Sequence, residues 1–370
     1  MIDANDRRFM SRALELAGQG LGHVEPNPMV GCVLVVGGEI VGEGWHRDFG
    51  GPHAEIAALR AAGNRAEAAT AFVTLEPCCL VGKTPPCTSA LIRAGVAKVV
   101  VGCRDPNPEV AGGGLAQLRA AGIDVAEGLL GDEATRLIAP FCKLVTQKRP
   151  WVIAKWAITL DGKLASRTGS SQWISGAESR ALVHQLRGRV DAILVGRRTA
   201  VLDNPLLTAR PRGARIATRV VLDTHASLSC ESKLIQSIQQ APVLVAVAET
   251  APPERRQRLE EHGAEILILR GDDRRGRLES LLDELGQRQM TSLLVEGGAS
   301  VLGALFDSRQ IDEIHAFTTP KLIGGEAAPS AIGGQGFAEM STALRLQRVT
   351  TELLGEDVHV HGYVEGRRES

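Results

Sequence analysis

The amino-acid sequence predicts an α/β protein of two domains, and three observations lead to this prediction. The chain has 370 residues, more than the roughly 100 to 200 residues of a typical domain. Short apolar strand-like runs alternate with helix-like segments along most of it, a pattern typical of sheets covered by helices. The charged segment KRP at 148–150 interrupts this alternation, because its proline cannot continue the preceding helix. We therefore expect one domain over residues 1–147 and a second over residues 151–370.

Charge and composition favour small-molecule chemistry. The chain has 42 Lys and Arg residues against 43 Asp and Glu residues, so no net field attracts nucleic acid or an anionic membrane. It contains no run of about 18 apolar residues, and charged side chains interrupt the N-terminal stretch where a signal peptide needs an apolar segment. Seven cysteines are few and odd in number, as is typical of a reducing compartment. We expect a cytoplasmic protein whose thiols are free or bound to metal.

The first domain begins with an amphipathic helix and a hairpin. Phe9, Met10, Ala13, Leu14 and Ala17 lie on one helical face. The segment CVLVVGGEIVGEG predicts two strands joined by a tight glycine turn. The elements expected after it, in chain order, are HAEIAALRAAG, TAFVTL, TSALIRAG, VAKVVVGC, LAQLRAAG, IDVAEG and DEATRLIAPFCKLVTQ. Because helices and strands alternate, we expect a three-layer α/β domain.

The second domain repeats the alternation with different sequences. The strand-like runs are VIAKWAI, DAILVG, RVVLDT, PVLVAVAE, EILILR, SLLVEGG and IHAFTTP. Helical or polar segments separate them, which predicts a second, mostly parallel sheet. The final pair, RLQRVTTELL and DVHVHGYVEG, predicts an antiparallel hairpin at the sheet edge.

The loop TLEPCCLVGKTPPC and the upstream GPHAE carry the residues of a metal centre. His53, Cys78 and Cys87 are ligand types that tetrahedral Zn²⁺ prefers, and three of them leave the fourth position open for water. Zinc lowers the pKa of such a water to roughly 7. Glu55 is too close to His53 in sequence to complete the ligand set without strain, and it suits a proton shuttle between the water and a leaving amine. His-x-Glu with Pro-Cys is part of the nucleobase deaminase signature.

Of three other interpretations of the cysteine loop, one stays open. A closed structural zinc site would need a fourth protein ligand, and Cys79 is the candidate. A Cys-x-x-Cys redox pair does not fit the spacing. The GKT at 82–84 is not a phosphate loop, because Pro77 stands where that motif needs its first glycine.

Several separated motifs carry a family resemblance over nearly the whole chain. GPHAE, EPC, GKTPPC, PNPMVG and DPNPEVAGGG resemble the bifunctional pyrimidine deaminase/reductase family of riboflavin biosynthesis, in which the eight-residue spacer between the ligand cysteines is the norm. The resemblance implies a cytidine-deaminase-like N-terminal domain and a dihydrofolate-reductase-like C-terminal domain. It also implies deamination of a phosphorylated diaminopyrimidine, with Asn27 and Lys83 holding base and phosphate.

The cysteine loop departs from the family at two positions. Cys79 and Leu80 stand where the family usually has Ser-His. Loss of one polar contact weakens binding by about 1 to 3 kcal/mol and leaves the chemistry in place. His46 is a candidate replacement, although a lone histidine also serves structural roles.

The second domain lacks G-x-G-x-x-G, so a Rossmann cofactor site is not expected. SLLVEGGASVLGALF instead offers a strand, a Gly-Gly turn and a helix start that suits a phosphate. WAITLDGKLA, GSSQWIS and RTAVLDNPLLTAR follow the reductase half of the same family, which implies NADPH. The implied cofactor residues are Ala157, Trp173, Thr199, Asp203, Gly298, Ala299, Ser300, Val301, Leu302, Gly303 and Ala304. The implied substrate residues are Ser171, Arg187, Leu207, Arg210 and Glu296.

The residue types in this domain agree with those roles. Arg187 and Arg210 suit bidentate binding of a phosphate, and Glu296 follows a strand, where open α/β sheets bind ligands. Lys155 lies in an apolar run and needs a partner or a strand edge, so it is a weaker candidate. The pair RR at 197–198 is either a solvated loop or a contact for the extra phosphate of NADPH.

Two other classes of function remain as alternatives. A nucleic-acid base deaminase needs a basic groove and stacking aromatic rings, whereas this chain is neutral and has only seven Phe, four Trp and one Tyr. A non-enzymatic zinc-stabilised module would have no use for Glu55. A homodimer is expected because dimers are the commonest oligomers of soluble proteins.

Overall fold

A computed structural model describes residues 4–80, 85–108 and 110–365 of the chain. The chain divides into two compact units after Lys148. Among the described residues, no helix has both the length and the apolar character that crossing a membrane requires.

The described residues of the first unit form five strands and six α-helices. The strands are β1 (Gly31–Val36), β2 (Glu39–Trp45), β3 (Thr70–Leu75), β4 (Lys98–Cys103) and β5 (Asp124–Glu127). The helices are α1 (Ala4–Gly18), α2 (Ala54–Ala62), α3 (Cys87–Arg93), α4 (Gly113–Ala120), α5 (Gly131–Leu137) and α6 (Ala139–Gln147). The strand order is β2-β1-β3-β4-β5, with β1 antiparallel to both neighbours and β3, β4 and β5 mutually parallel.

Helices cover both faces of this sheet, which confirms the expected three layers. The apolar side of α1 packs with Val33 and Phe72 on one face, and α2, α3 and α4 pack on the other. Gly37 and Gly38 have positive φ angles of 58° and 83° in the turn between β1 and β2, a backbone that favours glycine. Gly44 lets α2 lie directly on β2, because a Cβ there would be 2.4 Å from the Ala54 carbonyl oxygen.

One helix prediction is wrong in detail. The segment 132–147, expected as one helix, forms α5 and α6 with a break at Ile138. Pro140 lies in the first turn of α6. Proline has no N–H to bond the carbonyl group four residues earlier, and its ring crowds that carbonyl group, so a helix is interrupted before this position. Proline is tolerated in the first turn, so a new helix begins there.

In the second unit, nine strands and six α-helices lie within the part of the chain that the structure describes. The strands are β6 (Trp151–Thr159), β7 (Ala192–Gly196), β8 (Thr218–Leu222), β9 (Val243–Ala248), β10 (Glu265–Leu269), β11 (Ser292–Val295), β12 (Glu313–Thr319), β13 (Leu346–Leu354) and β14 (Asp357–Val364). The helices are α7 (Ala177–Arg187), α8 (Arg197–Leu202), α9 (Lys233–Gln236), α10 (Pro253–Glu261), α11 (Arg274–Gln287) and α12 (Ala299–Asp307).

These strands form one sheet in the order β10-β9-β8-β7-β11-β6-β12-β14-β13. The strands from β10 to β12 are parallel, and the final hairpin is antiparallel with β13 at the edge, as predicted. α7, α9 and α10 pack on one face, whereas α11 and α12 pack on the other. The carboxyl ends of β6, β7 and β11 therefore meet at one edge of the sheet, where parallel α/β sheets bind ligands.

Candidate active sites

His53, Cys78 and Cys87 converge beyond the carboxyl end of β3. His53 precedes α2 in extended backbone, Cys78 lies in the loop after β3, and Cys87 begins α3. The Nδ1 atom of His53 is 3.5 Å from the Cys78 Sγ and 3.3 Å from the Cys87 Sγ. Tetrahedral zinc with ordinary bond lengths separates a nitrogen and a sulfur ligand by about 3.6 Å. The three ligand atoms therefore fit one zinc ion.

The surroundings of the two sulfurs favour thiolate ligands. The backbone N–H of Cys87 donates to the Cys78 Sγ at 3.4 Å. Hydrogen bonding from Cys87, with His53 adding to it, lowers the pKa of Cys78 to about 4. The Cys87 thiol shares its proton with that thiolate, which raises its own pKa. A metal cation that displaces this proton would bind both sulfurs as thiolates.

Cys79 does not join the metal ligands. Among the described residues, the candidate metal-binding group that includes Cys78 has His53 and Cys87 as its other members and does not include Cys79. The Cys79 sulfur instead lies beside Gly113, where a Cβ would be 2.9 Å from it. The closed structural site is therefore disfavoured, and a fourth coordination position is left for water or substrate.

Glu55 lies in the first turn of α2, next to the metal ligands. Its residue surface is 3% exposed, and its carboxyl group hydrogen-bonds the Cys87 thiol. Burial, followed by the charge of the Cys78 sulfur, raises the pKa of Glu55 to about 7. A carboxyl group in this position can accept and release a proton beside a metal-bound ligand.

His46 contacts Asn27 rather than facing solvent. Its Nδ1–H donates to the Pro52 carbonyl oxygen at 3.0 Å, and its Nε2 lies 3.2 Å from the Asn27 amide nitrogen. Burial lowers the pKa of His46, so the ring is neutral and its Nε2 can accept from Asn27. His46 thus orients Asn27 and the chain just before His53. Lys83, the other expected substrate contact of this domain, lies outside the described residues.

Glu76 is a site residue that sequence reasoning missed. Its buried carboxylate accepts hydrogen bonds from the backbone N–H groups of Asp105, Gly112, Gly114 and Leu115, at 2.9 to 3.3 Å. Gly114 must be glycine, because a Cβ would lie 2.1 Å from the Pro77 carbonyl oxygen. Glu76 thereby holds the glycine-rich segment after β4 against the cysteine loop. The adjoining EPC and GGG motifs were the available signal.

Two adjoining cavities of about 430 Å³ each open at the carboxyl ends of β6, β7 and β11. Most of the residues expected to bind cofactor or substrate line them. These are Lys155, Ala157, Ser171, Trp173, Arg187, Thr199, Asp203, Leu207, Arg210, Glu296, Gly298, Ala299, Ser300, Val301, Leu302 and Ala304. Gly303 lines neither cavity; it packs on Gly333, whose carbonyl carbon a Cβ would approach to 2.3 Å.

The first cavity fits a phosphorylated dinucleotide. Gly298 directly precedes α12 and has a φ of 21°, and a Cβ there would come within 3.1 Å of the Thr199 hydroxyl at the cavity wall. A nine-residue helix starting at this wall presents unpaired N–H groups to an anion. Arg197, Arg198, Arg274 and Arg277 also line the cavity. Such a set of donors suits the several phosphates of NADPH.

The second cavity contains a buried group of charges. Arg187 donates to both carboxylate oxygens of Glu296, at 2.6 and 2.9 Å. These donors are therefore already occupied, and Arg187 is not free to bind a phosphate, contrary to the expectation from its residue type. The Lys155 Nζ lies 3.9 Å from Glu296, which supplies the partner that a lysine in an apolar strand needs. Burial opposes ionisation of Glu296, but Arg187 outweighs it and lowers the pKa of Glu296.

Arg210 is an exposed cation that lines this cavity. It donates to the Thr208 hydroxyl at 3.2 Å, and its Nη2 lies 3.4 Å from the His184 Nε2. The His184 Nδ1 contacts the Thr208 carbonyl oxygen at 3.2 Å. Burial, together with the charges of Arg187 and Arg210, lowers the pKa of His184. The neutral His184, which sequence reasoning missed, therefore orients Arg210; its place three residues before Arg187 on α7 was the signal.

Comparisons with known proteins match both domains. A sequence model described as the RibD C-terminal domain matches residues 150–360. A model described as the cytidine and deoxycytidylate deaminase zinc-binding region matches residues 3–103. The riboflavin biosynthesis protein RibD of Actinobacillus pleuropneumoniae is 42% identical over 95% of this chain and 94% of its own length. That of Aquifex aeolicus is 40% identical over 97% of this chain and 98% of its own length.

Solved structures similar to this chain cover nearly its full length. Acinetobacter baumannii RibD superposes with a TM-score of 0.86 at 36% identity, covering 98% of this chain and 99% of that one. A diaminohydroxyphosphoribosylaminopyrimidine deaminase/5-amino-6-(5-phosphoribosylamino)uracil reductase from Thermotoga maritima superposes with a TM-score of 0.84 at 38% identity, covering 97% and 98%. The chain therefore belongs to the RibD family, the bifunctional enzymes of riboflavin biosynthesis that join a zinc-binding deaminase domain to an NADPH-dependent reductase domain.

Proposed function

We propose that the first domain converts 2,5-diamino-6-(5-phosphoribosylamino)pyrimidin-4-one to 5-amino-6-(5-phosphoribosylamino)uracil. The observation that carries the proposal is the convergence of His53, Cys78 and Cys87 with Glu55 beside them and no fourth ligand among the described residues. Zinc, when bound, supplies an activated water at neutral pH. Glu55 takes one proton from the attacking water and gives it to the ring nitrogen. It then takes the remaining proton of the added hydroxyl group and gives it to the amino group, which leaves as ammonia while the carbonyl group forms. Asn27, oriented by His46, binds the base.

We infer that the second domain reduces the ribosyl group of the uracil product to a ribityl group. NADPH, when bound, supplies the hydride, and the glycine turn at the start of α12 binds its phosphates. Arg274 and Arg277 join Arg197 and Arg198 in binding the phosphate at the adenosine end. In the second cavity, Arg210 binds the substrate phosphate, while Lys155 and Glu296 face the opened ribosyl chain and orient it.

The same proposal assigns the deaminase to residues 1–147 and the reductase to residues 151–370. We further propose that the enzyme acts in the cytoplasm as a homodimer. Free thiols among the described cysteines are consistent with a reducing compartment.

One assay tests both activities together. Zinc-loaded protein receives the diaminopyrimidine phosphate and NADPH, and ammonia release and NADPH oxidation are followed at the same time. The proposal expects ammonia to appear first and NADPH oxidation to follow as the uracil intermediate accumulates. NADPH oxidation without ammonia release would remove the deaminase assignment, and the absence of both signals would remove the whole proposal. A nucleic-acid base deaminase would instead release ammonia from a single-stranded oligonucleotide.

A further inference from the structure

Glu313, His315 and His361 form a compact group far along the chain from the zinc ligands. Glu313 and His315 are two residues apart on β12, so their side chains project from the same sheet face. His361 on β14 lies directly opposite His315. The Nε2 atoms of His315 and His361 lie 3.1 and 2.9 Å from the same oxygen, Oε1 of Glu313. The three ligand atoms all lie within 4.8 Å of one another.

The group is buried but reachable. Glu313 is 8% exposed and His315 is 4% exposed, whereas 21% of the His361 side chain remains accessible. The indole N–H of Trp151 donates to the second carboxylate oxygen of Glu313 at 2.9 Å. This bond fixes the carboxylate and leaves its Oε1 directed at the two imidazoles.

A count of protons shows that this arrangement is incomplete with neutral imidazoles alone. The His315 Nδ1 lies 3.0 Å from the His359 Nε2, and the His359 Nδ1 lies 2.9 Å from the Glu352 carboxylate. Both ends of this chain are carboxylates that only accept, so each histidine must use its single N–H on a carboxylate. The contact between His315 and His359 is then left without a proton.

A cation at the His315 Nε2 removes this deficit. His315 then carries its proton on Nδ1 and donates to His359, and His359 donates to Glu352. Metal-bound histidines ordinarily donate their second N–H to such a partner. Two imidazoles and one carboxylate are also the donor set of zinc and similar divalent transition metals.

We propose that Glu313, His315 and His361 bind a divalent transition-metal ion of the zinc class, with His359 and Glu352 as its supporting hydrogen-bond chain. The site ties β12 to β14 and hence secures the terminal hairpin. Among the described residues that line the two cavities, none is a member of this group. Both cavities belong to the second unit, and no member of the group is among the zinc ligands of the first unit. The proposal therefore rests on neither catalytic activity.

Metal content separates this site from the deaminase centre. Chelator-treated full-length protein is equilibrated with zinc, desalted and measured for zinc per chain. We expect two ions in the wild type, one in His361→Ala and His315→Ala, and one in Cys87→Ser, which breaks only the thiolate centre. His262→Ala is the matched control, because His262 is an exposed histidine whose recorded partner is the Arg258 carbonyl, and it should keep two ions.

A spectroscopic measurement covers the case in which a histidine variant folds poorly. In Cys87→Ser protein loaded with Co²⁺, the ion should quench part of the tryptophan emission, because Trp151 contacts Glu313. The quenching should disappear in Cys87→Ser/Trp151→Phe, whose metal ligands are intact, and weaken at equal Co²⁺ in Cys87→Ser/Glu313→Gln. One zinc ion in the wild type and none in Cys87→Ser would overturn the proposal.

Discussion

Arg187 and Glu296 form a two-point ion pair across the reductase cavity, with nitrogen–oxygen distances of 2.6 and 2.9 Å. Both side chains are largely buried, and Lys155 adds a second cation at 3.9 Å from the same carboxylate. Glu296 therefore balances two positive charges in a place where substrate is expected. The Glu296 carboxylate therefore affects both the stability of the second unit and the binding of its ligand.

Glu296→Gln should destabilise the second unit. Removing one partner of a buried ion pair leaves an uncompensated charge and costs about 3 to 5 kcal/mol at neutral pH. The folded-state pKa of Glu296 is lowered, so its contribution is complete above the unfolded carboxyl pKa of about 4.3 and is lost as the pH falls through the folded value. Denaturant unfolding at pH 7 and below pH 4 measures this.

The control for this variant is Glu284→Gln. Glu284 pairs with Arg288 in a partly exposed position, where an ion pair contributes about 1 kcal/mol or less. Equal unfolding free energies for Glu296→Gln and Glu284→Gln at pH 7 would show that the buried ion pair contributes no more to stability than the partly exposed one.

Arg210→Ala should weaken binding of the uracil substrate and leave the deaminase unchanged. A charge-assisted hydrogen bond contributes about 1.5 to 3 kcal/mol, so the KM of the reductase should rise about 10- to 100-fold with a smaller change in kcat. Steady-state NADPH oxidation with supplied uracil substrate measures both constants. Arg212→Ala, an exposed arginine two residues away, should retain the wild-type KM, and a matching rise there would point to a general charge effect instead.

Glu55→Gln should abolish most ammonia release while zinc stays bound. The amide keeps the size of the side chain but cannot transfer a proton, a loss of about 10²- to 10⁴-fold in rate. Reduction of supplied uracil substrate should continue at the wild-type rate. Zinc analysis and the two assays are run beside Glu67→Gln, an exposed glutamate of the same domain. Ammonia release within a few-fold of the wild type would remove Glu55 from the proposed mechanism.

Glu76→Gln should loosen the segment 105–115. The amide can accept with only one of its two ends, which leaves backbone N–H groups of Asp105 and Gly112 or of Gly114 and Leu115 unpaired. Buried donors without partners cost about 1 to 3 kcal/mol each. Amide hydrogen exchange in this segment should accelerate at least tenfold, with no change in the strands of the second unit. Unchanged exchange would mean that the Glu76 hydrogen bonds do not hold the segment.

Local structure and ligand residues were predictable from the sequence where a physical requirement is met by only a few residue types. The glycine turn between β1 and β2 requires positive φ angles, and zinc requires thiolate and imidazole ligands, so Gly37, Gly38 and the three metal ligands were recognisable from spacing. The break at Ile138 was missed because the amphipathic pattern continues through a proline that is tolerated at a helix start.

Residues whose roles depend on distant partners were not predictable in the same way. Glu76 acts through backbone groups some 29 to 39 positions away, and Glu296 lies 109 positions from Arg187. Local pattern carries no information about such pairs. The pairing of the Arg187 guanidinium with Glu296 depends on the approach of α7 to β11 in the folded domain. The assignment of phosphate binding to Arg210 and not to Arg187 depends on the same contact.

In the proposed mechanism, zinc bound by His53, Cys78 and Cys87, with one coordination position open, is needed for deamination and is not needed for reduction. The most direct measurement compares metal-free and zinc-restored protein for ammonia release from the diaminopyrimidine phosphate and for NADPH oxidation with supplied uracil substrate. We expect that zinc removal abolishes ammonia release, that adding zinc back restores ammonia release, and that NADPH oxidation is the same in both forms. Undiminished ammonia release by the metal-free chain would contradict this expectation.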